Sequence, residues 1–151
     1  MIDGIWHLRG SISFDAAEND AIVLARLETL LKKQRKPISS RGTSGLVFDS
    51  PMWRNMFAPN WLAMIVYDRG SFQIDRSAAS SARLEYDLRS LHCFIFCLFG
   101  AAMFFSVGSV GGNISRGIML AVVAFCWLYG MNMLLAWVRI PRLIRKTVLH
   151  P

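Results

Sequence analysis

Residues Leu91–Val110 read LHCFIFCLFGAAMFFSVGSV, and residues Ile118–Val138 read IMLAVVAFCWLYGMNMLLAWV. Neither stretch contains a charged side chain, and each is long enough to cross a hydrocarbon core of about 30 Å as a helix. Buried helices of a soluble bundle are the alternative, but such helices usually carry a polar stripe, and these stretches have none. The sequence therefore predicts two membrane spans, at about 91–110 and 118–138, and the short connector makes them an antiparallel hairpin.

The charges outside the spans predict the orientation. The chain has a formal net charge of +7, and its ten acidic residues all lie between Asp3 and Asp87. The connector carries Arg116 alone, whereas the other cations near the spans precede the first or follow the second: Arg76, Arg83, Arg89, Arg139, Arg142, Arg145 and Lys146. Cytoplasmic flanks are enriched in cations. We therefore expect an integral protein of the bacterial inner membrane with both termini in the cytoplasm.

The first 89 residues are predicted to form a small cytoplasmic α+β head with a mainly antiparallel sheet and one helix. A sheet is indicated by alternating or continuous apolar runs separated by turn residues. The predicted strands are Ile5–Phe14, an edge strand Leu46–Asp49, a central strand Trp61–Tyr67 whose turn Asp68–Gly70 leads into Ser71–Asp75, and a last strand Arg83–Arg89. The domain division is head 1–89, transmembrane hairpin 90–139 and basic cytoplasmic tail 140–151.

The one helix of the head is predicted from apolar residues at helical spacing. Asp15 and Glu18 have the spacing of a capping box at its start. The helix should end near Gln34, because Pro37 restricts the residue before it. The residues expected on its buried face are Ala17, Ala21, Leu24, Leu27 and Leu31.

The most apolar connection in the head is Pro51–Trp61, with the sequence PMWRNMFAPNW. Such a stretch either covers the core of its own domain or forms a surface for a protein partner or the membrane interface. If the head has a protein-binding surface, we expect Trp53, Phe57 and Trp61 to form it.

Two groups of cations are candidates for anionic lipid headgroups. Lys32, Lys33, Arg35 and Lys36 form the densest cluster of the head, although cations at a helix end also complement its dipole. The second group, Arg142, Arg145 and Lys146, follows the second span and also serves as an orientation signal. With a membrane so close, lipid is the expected partner of these cations, and nucleic acid is not.

Three residues are candidates for close helix packing in the membrane: Gly108, Gly112 and Asn132. The two glycines have the four-residue spacing that lets helices approach closely, and Asn132 can donate a hydrogen bond to a neighbour. The packing partner is either the other helix of the same hairpin or another subunit, and the oligomeric state stays open.

The sequence gives no pattern of residues for catalysis. His7, His92 and His150 are not placed near a recognisable nucleophile, and no phosphate loop, dinucleotide fingerprint or zinc-protease motif occurs. Cys93 and Cys97 lie one helical turn apart, which suits small apolar packing or palmitoylation better than a four-ligand metal site. We therefore expect no cofactor and no enzymatic activity. The expected function is that of a membrane accessory or assembly protein whose head binds a protein partner, with an anionic-lipid-binding module as the alternative.

Overall fold

The computed structural model describes residues 5–50, 63–77 and 81–149. Its elements are β1 (His7–Asp15), α1 (Asp20–Lys33), β2 (Ile38–Arg41), β3 (Gly45–Asp49), β4 (Arg69–Asp75), β5 (Ser81–Arg89), α2 (Leu91–Gly108), α3 (Ile114–Phe125) and α4 (Met131–Leu149). A five-residue π-helical turn, Cys126–Gly130, joins α3 to α4. Ile114–Leu149 is therefore one helix of 36 residues, called the last helix below. The predicted α+β fold class is confirmed.

The sheet has five antiparallel strands in the order β1-β5-β4-β3-β2. Alternate residues of its strands, such as Phe72 in β4 and Leu84 in β5, face the core and are buried. Gly70 lies between Phe48 and Leu88, and a Cβ atom at this position would overlap both side chains. A glycine in the middle of the sheet therefore makes room for the two large apolar groups beside it.

Two helices contribute the other side of the core. From α1, Val23, Leu24, Leu27, Leu30 and Leu31 are buried, and from α4, Ala136, Ile140, Ile144 and Val148 are buried. The residues from α4 repeat every fourth position, so they form one face of that helix. The core of the head is thus completed by the helix that leaves the second span.

The start of α1 differs from the prediction. Asn19 is its N-cap, and the Asn19 side chain accepts a hydrogen bond from the backbone N–H of Ala21 at 2.9 Å. Asp15 instead ends β1 and accepts from the N–H of Ala17 at 2.9 Å. The helix begins four residues later than the predicted cap implies, so Ala17 lies before it and is exposed, and Ala21 in its first turn is exposed as well. The predicted end near Gln34 is confirmed, since Gln34 is the C-cap.

The predicted strands that correspond to β1, β3, β4 and β5 are confirmed to within two residues at each end, whereas the strand predicted at Trp61–Tyr67 is wrong over its described residues. Ala63–Val66 is a turn rather than part of a central strand, and Arg69 and Gly70, predicted as a turn, belong to β4. The predicted edge strand Leu46–Asp49 lies inside the sheet between β2 and β4. The edge strand on this side is β2, a strand that the sequence patterns do not predict.

The predicted tail, residues 140–151, is helical through Leu149, with Ile140, Ile144 and Val148 fully buried in the head. Its cations are interleaved with these apolar residues and lie on the opposite, exposed face of α4. The segment is therefore part of the core of the head as well as a carrier of positive charge.

Two helices are long and apolar enough to cross a membrane, α2 and the last helix. Only 17% and 6% of their most apolar windows are buried, so their large apolar side chains face outward. They pack antiparallel, since Gly100 lies beside Leu128 and Gly108 beside Gly117. In water such exposure would be strongly unfavourable, whereas in lipid it is the expected arrangement. The chain is a membrane protein built on a helical hairpin.

Candidate functional site at the junction of head and spans

Asp68 lies at the centre of the contacts between the head and the first span. Its carboxylate is 4% exposed, and Oδ2 accepts hydrogen bonds from Nε and Nη2 of Arg89 at 3.1 and 3.0 Å. The other oxygen, Oδ1, accepts the backbone N–H of His92 at 3.3 Å in the first turn of α2. A carboxylate at this place satisfies a free N–H group and complements the helix dipole. Asp68 therefore connects β5 and α2.

Lys36 is a second buried charge at the same junction. Its side chain is 4% exposed, and Nζ donates to the backbone oxygen of Tyr67 at 2.6 Å. Burial lowers the pKa of the Lys36 ammonium from 10.5 to about 8, and the nearby Asp68 carboxylate opposes part of this shift. The contact brings the end of α1 to the residue that precedes Asp68.

Ser90 and Tyr129 join the two spans to the start of β1. The backbone N–H and the hydroxyl of Ser90 both donate to the backbone oxygen of Trp6, at 2.7 and 3.1 Å. The Tyr129 hydroxyl donates to the backbone oxygen of Ile5 at 2.7 Å and lies 3.4 Å from the Ser90 hydroxyl. The ring of Phe94 contacts those of Trp6 and Tyr129. Because Ser90 alone separates β5 from α2, these contacts leave no flexible linker at this connection.

The polar groups at the junction bond chiefly to one another and to the backbone, which fits a rigid joint. Its buried atoms without a hydrogen-bond partner are the Tyr67 hydroxyl and Nδ1 of His92, which lies 3.9 Å from Oδ2 of Asp68. In the described ranges, no cluster of three or more His, Cys, Asp or Glu side chains is arranged to hold a metal ion. The contacts described at the junction fasten the head to the hairpin.

The structure separates the predicted lipid-binding cations. Lys32, Lys33 and Arg35 are exposed at the end of α1, whereas Lys36 is buried and is not available to a headgroup. The cations of the last helix predicted as lipid contacts are all exposed: Arg142, Arg145 and Lys146.

The helix α1 runs antiparallel to α4. Arg26 donates to the backbone oxygen of Val148 at 2.9 Å near the far end of the last helix, and α1 ends at the junction. A groove between the two helices is lined on its two sides by Lys33 and Lys146. Lys36, just after α1, therefore reaches the junction, whereas the exposed Lys33 lies beside the part of the last helix that contains Lys146.

The helix-packing predictions are partly corrected. Gly108 does lie in the contact between the spans, since a Cβ atom there would stand 2.8 Å from the Cα of Gly117. Gly112 instead lies in the connector with a φ of 83°, a backbone conformation that favours glycine. Asn132 is exposed and donates to the backbone oxygen of Leu128 in its own helix at 2.6 Å. The partner of Gly108 is thus in the same hairpin.

The predicted partner-binding residues Trp53, Phe57 and Trp61 lie outside the described residues, so their role stays a prediction. The described residues on either side of that segment do bond at the junction. The backbone N–H of Ser50 donates to the oxygen of Asp68 at 2.7 Å, and that of Met64 donates to Oε1 of Gln34 at 3.2 Å. Ser50 and Met64, on the two sides of this segment, therefore both lie at the junction.

No clear local sequence pattern marks the roles of Asp68, Gly117 and the core-facing residues of α4. Asp68 was interpreted as a turn residue, because its partner Arg89 is 21 positions away. The spacing of Ala136, Ile140, Ile144 and Val148 is a helical signal that the interleaved cations obscured. Gly117 is a small residue next to Arg116 and was assigned to the connector.

Comparisons with known proteins assign this chain to no family. No protein-family model, no curated protein and no solved structure matches it. Any function of the junction and the surface around it therefore rests on the contacts, burial and charge of the residues themselves.

Proposed function

We propose that this chain is a non-enzymatic accessory or assembly protein of the bacterial inner membrane, whose head binds a protein partner. The main supporting observation is that the head is built onto the last helix, with Ile140, Ile144 and Val148 fully buried in its core. A head fixed in this way presents one constant surface at the bilayer, which suits contact with a neighbouring membrane protein or with a cytoplasmic protein recruited there. The proposed contact residues are Trp53, Phe57 and Trp61.

The experiment that tests this function is pull-down of the tagged full chain from the native membrane in mild detergent. The double variant Trp53→Ala, Phe57→Ala should lose the partner that the wild type recovers. The matched control is Ile22→Ala, which removes an exposed apolar side chain (49% exposed) from α1. If the double variant recovers the same partner as the wild type while both variants stay folded, this surface is not the contact.

The orientation belongs to the same proposal. Most cations near the spans lie at the end of the hairpin that carries the head, whereas the end with the connector carries Arg116 alone. Reporter fusions at both ends should give the cytoplasmic signal. An exported carboxyl-terminal reporter would contradict the proposed orientation without affecting the hairpin itself.

A second candidate function is the binding of anionic lipid headgroups by Lys32, Lys33 and Arg35, with Arg142, Arg145 and Lys146 of the last helix. The specific observation in its favour is the position of the first group at the end of α1, where Lys36 bonds to Tyr67 beside Asp68. Each cation near an anionic surface contributes about 1 kcal/mol.

The lipid candidate is tested on the full chain, because the head has part of its core on the last helix. Phosphatidylglycerol should raise the thermal unfolding temperature of the wild type in nanodiscs more than that of the variant Lys32→Gln, Lys33→Gln. The matched control is Arg9→Gln, Arg83→Gln, which removes the same charge from exposed positions of the sheet. Equal stabilisation of the two variants would exclude a headgroup site at the end of α1.

A further inference from the structure

Exposed apolar side chains on the last helix continue beyond the level at which the first span begins. Ser90, the residue before α2, contacts Tyr129 and Met133 of the last helix, with its hydroxyl 3.6 Å from the Met133 sulfur. Residues after Met133 therefore lie alongside the head. Yet Leu134 and Trp137 in this part are 56% and 61% exposed.

A neighbouring turn adds to this apolar surface. Ala63–Val66 lies against the last helix, and a small crevice between them is lined by Leu135, Ala136 and Arg139 among others. Ile65 and Val66 of this turn are half-buried. We call the surface formed by Ala63, Ile65 and Val66 of the turn and by Leu134, Leu135, Trp137 and Val138 of the last helix the apolar shelf.

We infer that the apolar shelf is immersed in the interface of the lipid bilayer, so that the head is sunk into one leaflet on this side. Continuity is the first argument. Trp127 and Met131 lie on the same side of the last helix as Leu134 and Val138, at spacings of three and four residues, and they are exposed within the span. Lipid that covers Trp127 and Met131 within the span would therefore also cover Leu134 and Val138 without a break.

The position of the charges is the second argument. Residues 117–138 contain no charged side chain, and these 22 residues extend about 33 Å as a helix. The helix α2 has 18 residues and extends about 27 Å. A hydrocarbon core of about 30 Å therefore extends roughly 3 Å, or about two residues, past the start of α2. The first residues of the shelf on the last helix lie within this distance, and the remaining ones lie at the level of the headgroups.

The residues at the end of the shelf are typical of a membrane interface. Trp137 is followed by Arg139 and Arg142, both exposed. Tryptophan is enriched at the level of the headgroups, and arginine side chains reach from an apolar region to the phosphates. This inference goes beyond the proposed function, because it needs neither a protein partner nor an anionic lipid. It requires only that both helices span the bilayer.

The test measures the accessibility of spin labels in the full chain reconstituted in lipid vesicles. The background is Cys93→Ala, Cys97→Ala, Cys126→Ala, and the shelf positions are Ile65→Cys, Trp137→Cys and, as a replacement if one of these does not fold, Leu134→Cys. The water control is Ile22→Cys on α1, and the lipid control is Val122→Cys in the span. Both control side chains are exposed, 49% and 55%.

Labels on the shelf should collide with oxygen more than with a water-soluble nickel chelate, as in the span, and the ratio should be reversed at position 22. A nickel-accessible shelf would overturn the inference, because the head would then stand above the bilayer in water. Exclusion of both reagents would also overturn it, since a protein partner or a second copy would then cover the shelf. A label at position 122 that is not accessible to oxygen would contradict the membrane assignment itself.

Discussion

The two halves of the last helix bury different kinds of side chain. In the half that spans the membrane, the closest packing is at Gly117 against Gly108, and large side chains such as Trp127 face outward. In the half that belongs to the head, Ile140 and Ile144 are fully buried and cations occupy the outer face. One continuous helix thus has two opposite patterns.

The difference follows from the solvent around each half. Water drives branched apolar side chains inward, so the head half is held to its neighbours by a hydrophobic core. Lipid provides no such force, so the span half depends on the close approach that small residues allow. Hydrophobicity alone therefore does not show which face of a helix packs. The surroundings of that part of the helix must also be known.

The first prediction removes the head half. A chain ended after Arg139 loses Ile140, Ile144 and Val148, each worth roughly 1.5–3 kcal/mol on burial. Their sum is comparable with the total stability of a domain, about 5–15 kcal/mol. We expect proteinase K to digest the head of this variant rapidly in detergent micelles. The full-length control Arg142→Gln, Arg145→Gln, Lys146→Gln should stay resistant, and a resistant truncated chain would show that the head folds without α4.

The second prediction concerns the buried charge at the boundary of the two halves. Because the folded pKa of Lys36 is about 8 and the model-peptide value is 10.5, the unfolded chain binds more protons between these values. The stability of the wild type should therefore rise with pH across this window, by up to about 3 kcal/mol relative to Lys36→Met. The measurement is thermal unfolding at several pH values. A stability difference between the two proteins that does not change from pH 7.5 to 10.5 would contradict the shifted pKa.

The third prediction tests the contact in the span half. In Gly117→Ala the new Cβ would overlap the Ser109 hydroxyl and stand 2.9 Å from the backbone oxygen of Phe105, so we expect a loss of about 1–3 kcal/mol. Gly130→Ala is the matched control, since a Cβ there meets nothing within 4 Å. Unfolding in micelles measures both. Equal stability of the two variants would mean that the close contact does not hold the hairpin together.

The fourth and smallest effect is at the end of α1, which packs against the head half. Arg35 has a φ of 54°, in the left-handed region, directly after the C-cap Gln34. Arg35→Gly should relieve this backbone strain and raise the free energy of unfolding by about 0.5–1 kcal/mol. Lys33→Gly, inside the helix, should instead lower it by about 1 kcal/mol. Thermal unfolding in a neutral detergent separates the two, and a loss of stability in both would contradict the role of the backbone conformation.

The elements that were predicted correctly carry local signals. The strict alternation of Arg83–Arg89 predicts β5, and the uncharged run Leu91–Val110 predicts α2, because each pattern lies within one element. The run Trp61–Tyr67 was predicted as a strand because it is apolar, but Met64 and Tyr67 are buried in the core from a turn and the residue after it. The apolar character of this run correctly indicates that Met64 and Tyr67 are buried. It does not distinguish a strand from a turn.

The junction between the head and the spans is not predicted, because its contacts connect residues that are far apart in the sequence. Asp68 and Arg89 are 21 positions apart, and Tyr129 bonds to a backbone oxygen 124 positions away. No local pattern marks such pairs. The prediction of a separate basic tail after residue 139 rests on its cations alone. The apolar residues between these cations, at four-residue spacing, form the face of α4 that completes the core, and the cations occupy the opposite face.

The order of synthesis gives the last helix a consequence for biogenesis. The five strands and α1 leave the ribosome before either span, whereas Ile140, Ile144 and Val148 are made after both. The head therefore cannot finish folding on the nascent chain before the hairpin is made, and its last folding step has to follow membrane insertion. A chain in which only one of the two spans crosses the bilayer would put these residues on the side opposite the five strands and leave an incomplete head for proteases to remove. The fold thus makes the stability of the head depend on correct insertion.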